Sequence, residues 1–293
     1  MLTLTTFTVV ISPSKSDTPP WLPPGMEAIT DVQYTQNGPS ELMDIYRRTD
    51  ATDAQPVIVA IHGGGWRAGS RRDFNFAAAY FVKEGYVFCT IDYRLDNVAI
   101  YPAQIQDCKC AIRYLRANAA KYHIDPSRIG VWGGSAGGHL VALLGTTAKV
   151  TRLEGDGGWQ DQSSAVQAVV DWYGPTDLRP AIEQTYSIQR GREMVQQLLG
   201  GMPSDKSDLA SDASPMAFVA PGDPPFLIEH GDKDPLVPVS QSQELYAALK
   251  AAGDSATLKI IDGAAHGGPL FLSPENIKLV DGFFRDILRP SVQ

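Results

Sequence analysis

Ser135 lies in Gly133-Gly134-Ser135-Ala136-Gly137, after the β-rich run RIGVWG and at the head of the helical run SAGGHLVALLG. The pentapeptide G-x-S-x-G says little by itself in a chain with 27 glycines. Its setting makes it informative. A sharp strand-to-helix turn needs small neighbours and lifts the serine hydroxyl above the strand ends. The helix N-terminus behind it favours negative charge. A plain N-cap serine would explain the hydroxyl but not the glycines on both sides.

A serine hydroxyl needs a base to act as a nucleophile at neutral pH. Five histidines are available. His62 belongs to a glycine loop, and His139 sits one turn along the helix that Ser135 opens. His123 lies in a surface-like stretch, and His230 ends a strand. His266, in the small-residue loop GAAHGG after the last strand, can hang an imidazole over the carboxyl ends of the sheet. It is the expected base. Such an imidazole needs a carboxylate to set its tautomer. EHGDKDPLVP (229–238) offers Asp232 and Asp234 directly after a strand, in the chain order serine, acid, histidine. Asp234, before Pro235 and facing the turn at Val237-Pro238, is the expected acid, with Asp232 as the alternative.

IHGGGW (61–66) follows the apolar run PVIVA. Three consecutive glycines cost conformational freedom, so something must approach that backbone closely. Acyl transfer passes through an oxyanion, and each well-placed donor is worth roughly 10²–10³ in rate. The amides of Gly64 and Gly65, with that of Ala136 after the nucleophile, are the expected oxyanion donors, and Gly63 is left to the turn. On this reading Gly64→Ala lowers turnover far more than stability. A phosphate-cradling loop would be followed by Lys-Ser/Thr at fixed spacing, which is absent. Trp66, and Trp172 and Tyr173 at a strand end, are candidate substrate-binding residues. Trp66 is equally suited to packing. Asp92 and Arg94 in DYRL read as a structural pair bracing the glycine loop.

These residues need a scaffold of alternating strands and helices. PVIVAIH (56–62), YVFCTID (86–92), RIGVWG (128–133), VQAVVDWY (166–173), PFLIEH (225–230) and ATLKIID (256–262) read as buried strands. Helices are predicted over 71–83, 102–121, 135–145, 239–251 and 275–288. The one over 102–121 rests on Ile105, Cys108, Ile112, Leu115 and Ala119 at helical spacing. This alternation implies a mostly parallel central sheet flanked by helices. DVQYT (31–35) and ELMDIYR (41–47), around Asn37-Gly38, add an N-terminal antiparallel hairpin. Residues 1–25 read as an extended, proline-rich arm and 26–293 as a single α/β domain. A small cap insertion is expected at about 178–222, with a helix near 191–199.

Composition excludes several classes. Lys plus Arg number 25 and Asp plus Glu 33, a formal charge of −8 with no basic run, which argues against nucleic acid or anionic lipid as partner. Cys89, Cys108 and Cys110 are too few for a disulfide framework and lack companions for a metal site, so neither a metal nor a redox role is expected of them. No apolar run is long enough to span a membrane. MLTLTTFTVVI lacks a basic start and a small-residue cleavage site, a poor signal peptide. Cytoplasmic and secreted locations both stay open, as does the oligomeric state.

Taken together, the chain resembles the α/β-hydrolase serine esterases, within them the HGGGW subgroup related to hormone-sensitive-lipase-type esterases and bacterial acetyl xylan and feruloyl esterases. The resemblance covers roughly 28–289. It rests on IHGGGW, DYRL (92–95), YPAQIQD (101–107), IDPSRIGVWGGSAGGHLVALLG (124–145), VVDWYGPTDL (169–178) and EHGDKDPLVPVSQS (229–242). It implies Ser135, Asp234 and His266 as a catalytic triad and ester hydrolysis without metal or cofactor. The implied substrates are short-chain or aromatic esters, small or polysaccharide-linked, such as acetyl or feruloyl groups of plant polysaccharide. The segment 181–202 departs from the pattern, and the acyl or leaving-group pocket is expected there. Two other readings keep the fold: a serine amidase or peptidase with the same triad, and a receptor that binds ligand without catalysis.

Overall fold

A computed structural model describes residues 19–36, 38, 41–179 and 189–289. Residues 1–18 of the expected arm, Asn37 of the hairpin turn and 180–188 of the expected insertion lie outside them. Among the described residues eight strands form one sheet: β1 (Met26–Gln33), β2 (Leu42–Arg48), β3 (Gln55–Ile61), β4 (Val87–Ile91), β5 (Ile124–Gly134), β6 (Ala168–Trp172), β7 (Phe226–Gly231) and β8 (Ala256–Ile261). Their order is β1-β2-β4-β3-β5-β6-β7-β8. β1 pairs antiparallel with β2, and β2 with β4; from β4 to β8 every pairing is parallel. The central strands are continuous apolar runs because helices cover both faces, so each side chain must be compatible with a core.

The helices are α1 (Asn75–Lys83), α2 (Ala103–Ala117), α3 (Ala119–Tyr122), α4 (Ala136–Thr146), α5 (Gln189–Leu199), α6 (Ser207–Asp212), α7 (Val239–Ala252) and α8 (Pro274–Leu288). Two of the predicted spans change. The first four residues of 71–83 are a 3₁₀ turn, Arg71–Phe74. The helix over 102–121 is interrupted at Asn118, whose side-chain amide bonds the Tyr114 carbonyl at 2.9 Å. One core lies between the sheet and α2, α4 and α7, with Ile105, Ile112, Leu140, Leu143 and Leu245 buried. The other holds Phe81, Phe88, Trp132, Val170 and Phe284 beneath α1 and α8. Between β6 and β7, α5 and α6 bury Leu198, Leu199 and Ala210 in the first core, so this insertion is packed rather than draped. No helix among the described residues is long and apolar enough to cross a membrane.

The antiparallel edge is tied to the parallel sheet by charge. Arg71 donates through Nε to Asp44 of β2 at 2.9 Å, and its guanidinium also engages Asp31 and Asp92. Its backbone N–H donates to Asp92 Oδ1 at 2.7 Å. Arg94 instead binds Asp107 of α2, with Nη2 2.7 Å from Oδ1 and Nε 2.9 Å from Oδ2. The expected Asp92–Arg94 pair is therefore not formed. Asp92 is taken up by Arg71, while Arg94 reaches the buried carboxylate of Asp107 on α2. Asp44 and Arg71 are both buried, and removing one partner of a buried pair strands the other charge. Arg71→Leu should lower unfolding free energy at neutral pH by about 3–5 kcal/mol in urea titrations.

Candidate active site

The sheet order reverses at β3. The chain moves from β3 outward to β4 on one side, then returns to β5 on the other. Ligands of open α/β sheets bind at such a switch point, beyond the carboxyl ends of the strands. Here the two ends are the glycine loop after β3 and Ser135 after β5, with Ile61 opposite Gly133 in the ladder. Ser135 has φ 57° and ψ −121°, a conformation that costs a non-glycine residue about 1–3 kcal/mol. Close packing holds it there. A Cβ on Gly133 would lie 2.3 Å from the Gly137 carbonyl oxygen, and one on Gly137 would lie 2.0 Å from that of Ile61.

Each glycine of the loop meets a different steric constraint. Gly63 is the residue against the elbow, where a Cβ would meet the Gly134 carbonyl oxygen at 2.8 Å. Gly64, at φ 105°, makes the turn, and its carbonyl accepts from the N–H groups of Arg67 and Ala68. A Cβ on Gly64 would lie 2.1 Å from the Ala68 carbonyl oxygen, so Gly64→Ala would disrupt the loop itself and not spare stability. Gly65 and Ala136 line a cavity together with Ser135. Gly64 borders a neighbouring cleft.

His266 and Asp234 converge on Ser135 from the loops after β8 and β7. His266 Nε2 lies 2.8 Å from Ser135 Oγ, and Nδ1 lies 2.7 Å from Asp234 Oδ2. With Nδ1–H donated to the carboxylate, Nε2 is left to accept the serine proton. Asp234 Oδ1 accepts the N–H groups of Leu236 and Val237 at 2.8 and 2.9 Å. Burial alone would raise this carboxyl, but the His230 and His266 hydrogen bonds outweigh it and hold Asp234 well below the usual carboxylate range. Asp232 points elsewhere, accepting from Gly263 N–H at 2.7 Å and pairing with Lys233.

The cavity beside Ser135 is narrow and is lined by Trp66, Pro175, Gly191, Met194, Val195, Leu236 and Val237 besides the residues already named. Met194 and Val195 belong to α5, within the segment where the pocket was expected. The sequence reading named neither. Nor did it assign Leu236 and Val237, though they follow the acid in the same turn. Trp66 lines this cavity and is also anchored: its indole N–H donates to His139 Nδ1 at 3.1 Å, and His139 Nε2 bonds the Ala213 carbonyl at 2.6 Å. Burial pushes His139 down to about 4 against that last bond, keeping it neutral.

Two aromatic candidates fall outside the cavity lining. Trp172 lies on the opposite face of the sheet, packed on Trp132 and Phe271, with its indole N–H given to buried Glu229. The expectation that it contacts substrate is corrected: its ring is buried in the core beneath α1 and α8. Tyr173 packs edge-on against the His266 ring at 4.8 Å and against Phe271 at 4.6 Å, so it supports the imidazole. Of the remaining histidines, His62 stacks on Tyr93, and His123 is an exposed residue at φ 57°. His230 is wholly buried. Among the described residues no His, Cys, Asp and Glu cluster is arranged to hold a metal ion.

A sheet of this order, with a nucleophile elbow after β5 and the acid and histidine after β7 and β8, defines an α/β-hydrolase. The BD-FAE family model matches residues 43–249. The chain belongs to that family. It is 34% identical over 227 residues to esterase LipQ of Mycobacterium tuberculosis, covering 76% of this chain and 53% of LipQ. It thus spans about half the length of the curated relatives it matches. A truncated carbohydrate esterase from gut microbiota superposes with TM-score 0.81 at 36% identity, over 88% of this chain and 95% of that one. Thermogutta terrifontis esterase 2, phosphonylated by sarin, gives TM-score 0.78 at 29% identity over 92% and 98%.

Beneath the elbow lies Asp171 of β6, fully buried. Oδ1 accepts the Gly174 N–H at 2.9 Å, while Oδ2 is buried with no hydrogen-bond partner among the described residues. Burial pushes its carboxyl up to about 6, although Gly174 and His230 favour the anion. A folded-state value above the unfolded one means that ionised Asp171 costs stability above pH 6, a cost relieved as pH falls from 6 towards 4. Asp171→Asn should therefore stabilise the protein by about 1–3 kcal/mol at pH 8, and the gain should vanish near pH 4 in denaturant titrations.

Proposed function

We propose that the protein is a serine carboxylesterase acting through an acyl-enzyme. The observation that carries this reading is the His266 ring spanning Ser135 Oγ and Asp234 Oδ2 at 2.8 and 2.7 Å. Ser135 attacks the ester carbonyl as His266 Nε2 takes its proton. The amides of Gly64, Gly65 and Ala136 hold the oxyanion, aided by the N-terminus of α4. His266 then protonates the departing alcohol. Water, deprotonated by the same imidazole, releases the acid and restores the serine. Asp234 keeps the imidazole in its tautomer throughout.

The insertion between β6 and β7 acts in this reading as a cap. Its Met194 and Val195, with Leu236 and Val237, form a narrow apolar cavity that suits a short acyl group such as acetyl. Across Met194 lies a polar cleft bordered by Arg67, Arg190, Glu193 and Gln197. Hydroxyl-rich alcohols match such a lining, which supports acetyl or feruloyl esters of plant polysaccharide as substrates. The likeness to a carbohydrate esterase over nearly its whole length supports the same choice.

Ser135→Ala should lower kcat on p-nitrophenyl acetate by about 10⁴-fold or more and abolish labelling by an organophosphonate probe. A folded variant of undiminished activity would overturn the mechanism. Met194→Ala should extend the acyl chain-length cutoff in an acetyl-to-decanoyl panel by opening the cavity towards the cleft. An unchanged cutoff would place the acyl arm elsewhere.

A further inference from the structure

The triad reading leaves the fully buried imidazole of His230 unused. His230, on β7, is four residues before Asp234, and its side chain is wholly buried. Nε2 lies 2.9 Å from the Val237 carbonyl oxygen and 3.2 Å from Asp234 Oδ2. A carbonyl oxygen can only accept, so Nε2 carries a hydrogen. That hydrogen meets the carbonyl, and the carboxylate oxygen lies against the same nitrogen at 3.2 Å. Nδ1 lies 2.7 Å from Ser242 Oγ of α7, so both ring nitrogens are engaged.

Asp234 Oδ2 is therefore reached by two imidazoles, Nδ1 of His266 and Nε2 of His230, while Oδ1 takes two backbone N–H groups. We propose that His230 is a positioning residue of the catalytic centre: its Nε2–H fixes the Asp234 carboxylate in the plane that His266 needs and draws off part of its charge. The inference rests on the serine-hydrolase reading of the site. The charged or titratable groups facing His230 are Asp234 on its own loop and Asp171 from β6, whose charge also acts on it; α7 presents the Ser242 hydroxyl.

Without this donor the carboxylate can rotate off the His266 axis. It also becomes a stronger acceptor, holding a proton on His266 to higher pH. A hydrogen bond to a charged group is worth enough to change kcat by roughly 10–100-fold. The test compares wild type, His230→Phe and His230→Gln on p-nitrophenyl acetate, with thermal melts to establish folding. His230→Phe should lose that factor in kcat with KM within about twofold, and the acidic limb of its kcat/KM profile should move to higher pH. His230→Gln, whose amide can donate to Oδ2, should recover most of the rate and return the limb. If the phenylalanine variant does not fold, Ser242→Ala, which removes the hydroxyl holding His230 Nδ1, should show the same kcat loss and limb shift in smaller measure. Wild-type kcat in a folded His230→Phe, equal loss in both histidine variants, or an unmoved limb overturns the inference while leaving the esterase reading intact. Loss of that reading itself would show earlier, as a wild type without ester turnover or phosphonate labelling.

Discussion

Everything at the site depends on how closely the elbow backbone crosses β3. Gly137 stands where any side chain would collide with the Ile61 carbonyl, and Gly63 stands against the Gly134 carbonyl. With both contacts made, Ser135 has no relaxed conformation to fall into, and its φ of 57° persists. The same contacts bring the glycine loop beside the serine. Placement of Ser135 and placement of the glycine loop are therefore one packing event. The neighbouring parallel strands enforce it, because Ile61 and Gly133 are held in register by the ladder.

Charge is handled in opposite ways on adjacent strands. Asp234 receives donors at both oxygens and remains an anion despite burial. Asp171 receives one donor, keeps an orphaned oxygen, and is driven towards the neutral acid. Asp171 is also the more deeply buried, so desolvation and the missing donor push it the same way. At the far edge Arg71 neutralises carboxylates of β1, β2 and the loop after β4. A sheet with antiparallel and parallel parts thus gains a polar tie at their junction.

Much of this arrangement was legible in the sequence. The strand runs at 56–62, 86–92 and 225–230 lie within a residue or two of β3, β4 and β7, because strands buried on both faces leave an uninterrupted apolar signature. Ser135, Asp234 and His266 could be named because each follows a strand at its carboxyl end, where a parallel sheet collects its loops. What escaped notice depended on side-chain direction. Trp172 and Tyr173 are neighbours in sequence, yet one faces Glu229 and the other His266. Asp92 and Arg94 look like a pair in DYRL and choose separate partners. Met194 and Val195 gave only helical periodicity, which marks a packed face without saying what lies beneath it. His230 seemed a strand-end residue, and only the fold of the turn after β7 brings Asp234 back to it.

The indole of Trp66, the ring of His139 and the carbonyl of Ala213 form a short polar chain across the molecule. Its three members belong to the glycine loop, the nucleophile helix and the insertion between β6 and β7. His139 can serve both neighbours only as a single neutral tautomer, so the chain has a direction: indole proton to Nδ1, Nε2 proton to carbonyl. The insertion is consequently stitched to the reaction centre and not merely resting on it. Any swing that lifts Ala213 away strands a buried imidazole N–H and slackens the indole beside the serine, so access and loop geometry move as one mechanical unit.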